Sequence, residues 1–178
     1  SLAKKFNTLK KFNLKEKEYF LVTLHRPETV DNLVRLKTII STLNQLSKKY
    51  RLPVIFPIHP RTQKNLNNFK IKVKNIKFVE PTNYVHFLNL QKSAKLVFTD
   101  SGGVQEESCI LQTPCVTLRK NTERPETVMV GANVVAGYNS NNILKCSKKM
   151  MNKKHNWKIP LGSGSASKII LKHLKSIY

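Results

Sequence analysis

Residues 95–108, KLVFTDSGGVQEES, decide the fold. The apolar run KLVF reaches Thr99 and Asp100, then turns through Ser101, Gly102 and Gly103 into a helical pattern. A buried strand feeding directly into a helix is the unit from which parallel sheets are built. Glycine costs about 1 kcal/mol relative to alanine inside a helix. Two adjacent glycines at a helix start therefore call for a reason.

The same alternation recurs on both sides of this stretch. EYFLVTL (18–24) reads as a buried strand, and DNLVRLKTIISTLNQLSKKY (31–50) follows with Leu33, Leu36, Ile40, Leu43 and Leu46 at helical spacing. PVIFPI (53–58) and IKFVE (76–80) are further strands, with helices predicted over 61–69 and 84–94. PCVTL (114–118) and NVVAG (133–137) complete six strands, and helices follow near 140–154 and 165–177 after the turn LGSGSAS (161–167). This order predicts an α/β, Rossmann-like three-layer domain over residues 1–178, with a parallel sheet between helices. In such sheets ligands bind beyond the carboxyl ends of the strands, near a switch in strand order. His25, His59, Pro81–Thr82, Asp100–Gly103 and Arg119 each follow a strand and share that edge.

Composition narrows the function. Hydrophobic residues make up 40% of the 178, enough for one sizeable core. No apolar run approaches the roughly 20 residues that span a bilayer, and the opening stretch is basic and polar, unlike a secretory leader. Three cysteines, Cys109, Cys115 and Cys146, lack zinc-type spacing and read as reduced thiols, which predicts a cytoplasmic setting. The net charge of +22 invites a nucleic-acid partner. Only six of the 32 basic residues are arginine, however, and the lysines are scattered along the chain. No nucleic-acid partner is expected. The rarer charges are concentrated instead: Arg26 in LHRPETVDN, Arg61 in PIHPRT, Arg119 and Arg124 in LRKNTERPET. An arginine in a lysine-rich chain marks a place that uses a planar fork.

Two readings of the glycines stand at this point. A strand ending in Asp-Ser-Gly-Gly exposes unpaired N–H groups at the positive end of a helix, where phosphate binds, and glycine lets an anion approach closely. Glu106 or Glu107, one to two turns on, could then accept from ribose hydroxyls. The second reading is a capped tight turn with a solvated pair of glutamates. Neither the dinucleotide fingerprint nor a P-loop is present.

Four ordered motifs carry a resemblance: LVTLHRPETVDN (21–32), FPIHPRT (56–62), TDSGGVQEES (99–108) and LRKNTERPETV (118–128) with GAN (131–133). In that order they resemble the C-terminal half of non-hydrolysing UDP-N-acetylglucosamine 2-epimerases, from about Tyr19 onward. The resemblance implies the GT-B architecture, two Rossmann-like domains with the active site between them. This chain corresponds to the UDP-binding C-terminal domain, without the N-terminal domain that holds the family's catalytic carboxylates.

By resemblance Ser101, Gly102 and Gly103 match the pyrophosphate turn, and Glu107 the ribose-binding carboxylate. Phe87 matches a residue beside uracil, Arg119 a nucleotide-contacting arginine, and His25 a catalytic-cleft histidine near the diphosphate. Arg26 and His59 match positions that touch a second, regulatory UDP-sugar in some bacterial members. Thr82 stands where some relatives have a glutamine by the uracil. The implied reaction is elimination of UDP followed by re-addition on the inverted face, interconverting UDP-GlcNAc and UDP-ManNAc. It implies a UDP-sugar substrate, no metal or redox cofactor, no membrane partner and a homodimeric intact enzyme. A GT-B glycosyltransferase using a UDP-sugar and a standalone nucleotide-sugar-binding module are the rival readings. Structural roles stand beside the functional ones. Arg119 could pair with Glu123 or Glu126, His59 could order its loop, and Tyr84, Phe87 and Leu88 read as a core-facing stripe.

Overall fold

A computed structural model describes residues 8–162 and 164–177. The first seven residues of the basic opening stretch, Ser163 of the LGSGSAS turn and the terminal Tyr178 lie outside the described residues. Six strands form one parallel sheet: β1 (Phe20–Thr23), β2 (Val54–Pro57), β3 (Ile76–Val79), β4 (Leu96–Thr99), β5 (Cys115–Thr117) and β6 (Asn133–Val135). Their order is β3-β2-β1-β4-β5-β6. This is the doubly wound Rossmann order, and its switch point lies between β1 and β4.

The strands are apolar on both faces because helices cover both. Phe20, Val22, Leu96 and Phe98 point into one core, with Phe20 and Phe98 edge to face at 5.8 Å. That core is closed by α3 (Leu33–Tyr50) through Leu36, Ile39, Ile40, Leu43 and Leu46, and by α8 (Ser140–Met151) through Ile143 and Met150. Leu21, Ile55, Val97 and Cys115 point the other way. There they meet Leu90 of α5 (Tyr84–Ser93), Val104 of α6 (Gly102–Ile110), and Leu9 and Phe12 of α1 (Thr8–Phe12). Cys109 and Cys115 are buried free thiols, and burial pushes the Cys115 thiol up to about 12.

Two expectations need correction. Leu33 heads the predicted stripe of α3 but is 45% exposed, because the helix begins there, capped by Asn32, whose side chain accepts from Arg35 N–H at 3.0 Å. Tyr84 is 62% exposed rather than core, because it opens α5 at its capped end. The buried face of that helix begins lower, at Leu90 and Gln91. Three short helices complete the edge that matters: α2 (Pro27–Val30), α4 (Pro60–Asn68) and α7 (Pro125–Met129), each with proline in its first turn. The last helix, α9 (Ala166–Lys175), contributes no buried residue. Among the described residues no helix is long and apolar enough to cross a membrane.

Candidate active site at the switch point

Register assembles the site. Thr23 pairs with Thr99 where β1 and β4 end, and their hydroxyls share a 2.7 Å hydrogen bond. The next residues of the two strands diverge to either side of the switch point. Asp100 drops between them and is fully buried. Its Oδ2 accepts from the Arg26 N–H at 2.9 Å, and both oxygens accept from the His25 N–H at 3.1 Å. His25 Nδ1 lies 3.3 Å from Asp100 Oδ1, while the imidazole side chain remains 40% exposed. Burial raises the Asp100 carboxyl above its ordinary value; the Arg26 N–H and the charge of His25 pull it back.

Ser101 caps α6 by position, but its side chain makes no capping hydrogen bond. Its main-chain N–H is tied to the Thr99 hydroxyl at 2.9 Å. Gly102 and Gly103 occupy the first helical positions, and neither is among the positive-φ glycines. Left-handed conformation therefore does not explain them. A Cβ on Gly103 would meet nothing within 4 Å, and one on Gly102 would touch only the Arg124 guanidinium at 3.8 Å. The first turn of α6 is thus open at Gly103, while Gly102 is buried beside the Arg124 guanidinium, and the dipole makes that end positive.

The two glutamates have separate surroundings. Glu106 is paired with Arg124 at 2.7 Å. Glu107 points back toward α5, where Tyr84 hydrogen-bonds to it, and its Oε2 is buried without a partner. Burial pushes the Glu107 carboxyl up, with the Tyr84 hydroxyl opposing and Glu106 adding to the rise. An acceptor withheld from water and left unpaired is poised for donors supplied from outside the chain.

The remaining predicted residues divide. His59 caps α4, its Nδ1 accepting from the Arg61 N–H at 3.2 Å, and its ring centroid lies 6.1 Å from that of His25. The loop-ordering role is therefore real, and it coexists with a place at the site. The two histidines line a cavity of about 160 Å³ with Thr23, Pro57 and Pro81. The Thr62 hydroxyl donates to the Leu24 carbonyl at 2.6 Å and fixes α4 against the end of β1. Arg26 enters α2, and its Nε is buried without a hydrogen bond. Phe87 packs in the cluster that includes Val104, just inside the glycine turn. Thr82 lies elsewhere. It borders a separate cavity of about 330 Å³ with Phe12 and His86, its hydroxyl buried and unpartnered.

Arg119 is almost buried and holds two carboxylates: Nε donates to Glu28 at 2.7 Å, and Nη1 donates to Glu123 at 2.7 and 2.8 Å. Pairing with Glu123 was one of the open sequence readings; the bond to Glu28, 91 residues away, was not foreseen. Those hydrogen bonds raise the Arg119 pKa, the one to Glu123 most. Arg119 therefore fastens α2 to the loop after β5. A larger cavity, about 690 Å³, lies between α3 and the turn before β3, lined by lysines and the side chains of Phe69 and Ile71. It lies away from the carboxyl ends of the central strands, where the four sequence motifs converge, so the site is assigned to the switch point.

Three residues escaped the sequence reading. Asp100 was seen as part of a turn, although a carboxylate closing an apolar strand is itself a signal. Gln105 and Asn133 form a buried polar network behind the glycine turn, in which Asn133 Nδ2 donates to Gln105 Oε1 at 3.0 Å. Gln105 Nε2 in turn donates to the Ser101 carbonyl at 3.1 Å. Nothing in the local sequence pairs those two residues.

The sequence pattern of the UDP-N-acetylglucosamine 2-epimerase family matches residues 1–175. The chain belongs to this family. The UDP-N-acetylglucosamine 2-epimerase of Methanococcus maripaludis is 51% identical over 162 residues, covering 88% of this chain and 44% of the relative. That of Methanocaldococcus jannaschii is 52% identical over the same length. The crystal structure of the latter enzyme in complex with UDP-GlcNAc and UDP superposes with a TM-score of 0.89 at 48% identity, covering 98% of this chain and 50% of that one. A co-structure of Staphylococcus aureus MnaA with UDP gives a TM-score of 0.80 at 30% identity. The chain spans about half the length of the curated relatives it matches. This epimerase-family chain therefore has the α/β fold with a parallel sheet that its motifs implied.

Proposed function

We propose that this chain is the UDP-binding half of a UDP-N-acetylglucosamine 2-epimerase that interconverts UDP-GlcNAc and UDP-ManNAc. One observation carries the reading: the uncapped first turn of α6 faces open space at Gly103, between the His25–Asp100 pair and the unpartnered Glu107 oxygen. That geometry suits a nucleoside diphosphate. The N–H groups of Gly102 and Gly103 and the Ser101 hydroxyl hold the diphosphate, Glu107 accepts from the ribose, and Phe87 flanks the base. Arg119 keeps the edge in shape and contributes a ligand contact through the part of its fork not committed to Glu28 and Glu123. Thr82, which borders a separate cavity, is left outside the UDP contacts.

In the reaction, a base supplied by another part of the intact enzyme removes the proton from C2 of the sugar. The C1–O bond then breaks and its electron pair leaves with UDP. Charge develops on the diphosphate beside His25 and the positive end of α6. Groups aimed at developing charge in a site shielded from water lower that barrier. UDP then re-adds at C1, while the proton returns to the opposite face of C2. Two relatives above 50% identity are UDP-N-acetylglucosamine 2-epimerases, which favours that sugar over the diacetamido uronate of the Pseudomonas aeruginosa relative at 36%. Arg26 and His59, next to the same edge, are positioned for a second UDP-sugar. The intact enzyme is proposed to be a cytoplasmic homodimer that supplies cell-surface polysaccharide synthesis.

A glycosyltransferase reading draws on the fold alone, since the Escherichia coli ADP-heptose heptosyltransferase II is 12% identical at a TM-score of 0.61. Calorimetric titration of this chain with UDP, UDP-GlcNAc and UMP tests the proposal. UDP is expected to bind at least tenfold more tightly than UMP, because the cradle is built for the second phosphate. Equal affinity for UMP and UDP would remove the diphosphate cradle from the account.

A further inference from the structure

Two main-chain N–H groups at the end of β1 could be satisfied by the neutral oxygen of an asparagine. The structure places a fully buried carboxylate there instead, at a desolvation cost that those two N–H groups only partly offset. The remaining features of the pocket are the Thr29 hydroxyl and the His25 ring edge, with Nδ1 3.3 Å from Oδ1. Among the described residues His25 is the ion-pair partner found for Asp100. The other charges around the pair are directed elsewhere or lie across the cavity. Arg26 leads into α2, His59 faces His25 at 6.1 Å between ring centroids, and Arg119 is met by Glu28 and Glu123.

We propose that Asp100 is the positioning residue for His25: it grips both the backbone and the Nδ1 edge, and so holds Nε2 toward the ligand space in one tautomer. This rests on the UDP-site reading for its function, though not for its geometry. A carboxylate that fixes an imidazole through Nδ1–H sets which nitrogen faces the reacting group. The anchor is rigid because Asp100 is itself pinned. Its N–H donates to the Thr23 carbonyl at 3.3 Å, and the flanking threonines are cross-bonded. His25 therefore requires no reorientation as negative charge grows on a leaving diphosphate. When the ring is doubly protonated, its Nε2–H is already directed at the diphosphate.

The test is long-range proton–nitrogen correlation spectroscopy on the nitrogen-15-labelled 178-residue chain, with His25 assigned by His25→Gln. Neutral His25 is expected as the Nδ1–H tautomer, and saturating UDP is expected to shift its Nε2 signal. In Asp100→Asn, Nε2–H should become the main tautomer and the UDP-induced shift should shrink at least twofold at saturation. Wild-type His25 found as Nε2–H would overturn the proposal, whether or not the variant folds. So would a folded Asp100→Asn variant that keeps the Nδ1–H tautomer. UDP affinity is read separately. A chain with the Nδ1–H tautomer and no UDP binding would retain the pairing and lose the diphosphate reading instead.

Discussion

Glu106 and Glu107 are neighbours in sequence and differ in every respect that matters for binding. Arg124 occupies the first, whereas the second carries a buried, unsatisfied oxygen beside Tyr84. A charge-assisted hydrogen bond contributes roughly 1.5–3 kcal/mol, about tenfold or more in affinity. Glu107→Gln is therefore expected to weaken UDP by at least tenfold, and Glu106→Gln by less than threefold, in parallel titrations. The same substitution has a stability signature. The folded-state pKa of Glu107 lies above its ordinary value, so folding favours the protonated form. That contribution is fully present below the unfolded value of about 4.3 and is lost as pH rises through the folded value. At pH 7 the ionised carboxylate is a liability that glutamine removes. Melting curves should show Glu107→Gln as stable as the wild type or up to about 2–4 °C better at pH 7, the worth of 1 kcal/mol at this size, with no advantage near pH 4. A lower Tm at pH 7 would mean that the carboxylate holds the fold together. Gly103 gives the matching case without charge. Its φ is not positive and a Cβ would meet nothing, so alanine costs the fold nothing and can stabilise it by about 0.4–1 kcal/mol. The methyl would stand where phosphate oxygens approach. Gly103→Ala should hold or raise Tm while UDP affinity falls at least tenfold; unchanged affinity would return the glycines to a purely structural role.

At the scale of elements, the apolar runs announced all six strands, and the order of strands and helices announced the parallel sheet. Both signals are periodic and local. The ends were less legible: β5 and β6 are three residues each, and the short α1 and α2 were missed because four or five residues carry no period to read. The site motifs were legible because they punctuate strand ends. The partners that hold them were not, since Arg119 with Glu28 and Gln105 with Asn133 depend on folding to meet. The second pair makes a prediction about α6. Asn133 Nδ2 donates to Gln105 Oε1 and to the Thr127 hydroxyl, and its Oδ1 accepts from Thr117 at 2.9 Å. Through Gln105 the network reaches the Ser101 carbonyl and pins the helix start. Asn133→Ala strands buried partners at about 1–3 kcal/mol, and denaturant midpoints should fall accordingly. Gln105→Ala should show a similar loss, and the double variant less than the sum, because the residues share one network. Strict additivity would show that the two side chains act independently rather than through one network.

At the scale of the molecule, every group argued to touch UDP lies at or beside the carboxyl edge of the sheet, and many charged groups of that edge are committed to one another. Arg119 takes Glu28 and Glu123, Arg61 takes Asp31, and Arg124 takes Glu106. Asp100 is buried beneath His25, and Glu107 faces Tyr84. Among the described carboxylates of that edge, Glu80, which follows β3, and Glu126 of α7 are exposed and outside these pairs. The groups gathered around the first turn of α6 are suited to stabilising a departing UDP, and the paired or buried carboxylates beside them are ill suited to removing a carbon-bound proton. A chain spanning about half the length of its relatives is consistent with that division. The expected outcome is binding without turnover. Incubated with UDP-GlcNAc in deuterated water, the chain alone should leave the C2 proton unexchanged in proton NMR spectra, although calorimetry shows UDP bound. Co-expression with the remaining half of a close relative should restore C2 exchange, and His25→Gln should then reduce it by at least tenfold while UDP affinity falls less. Exchange catalysed by the isolated chain would place the base on this edge, with His25, His59, Glu80 and Glu126 as the candidates, and would overturn the separation of leaving-group stabilisation from proton transfer.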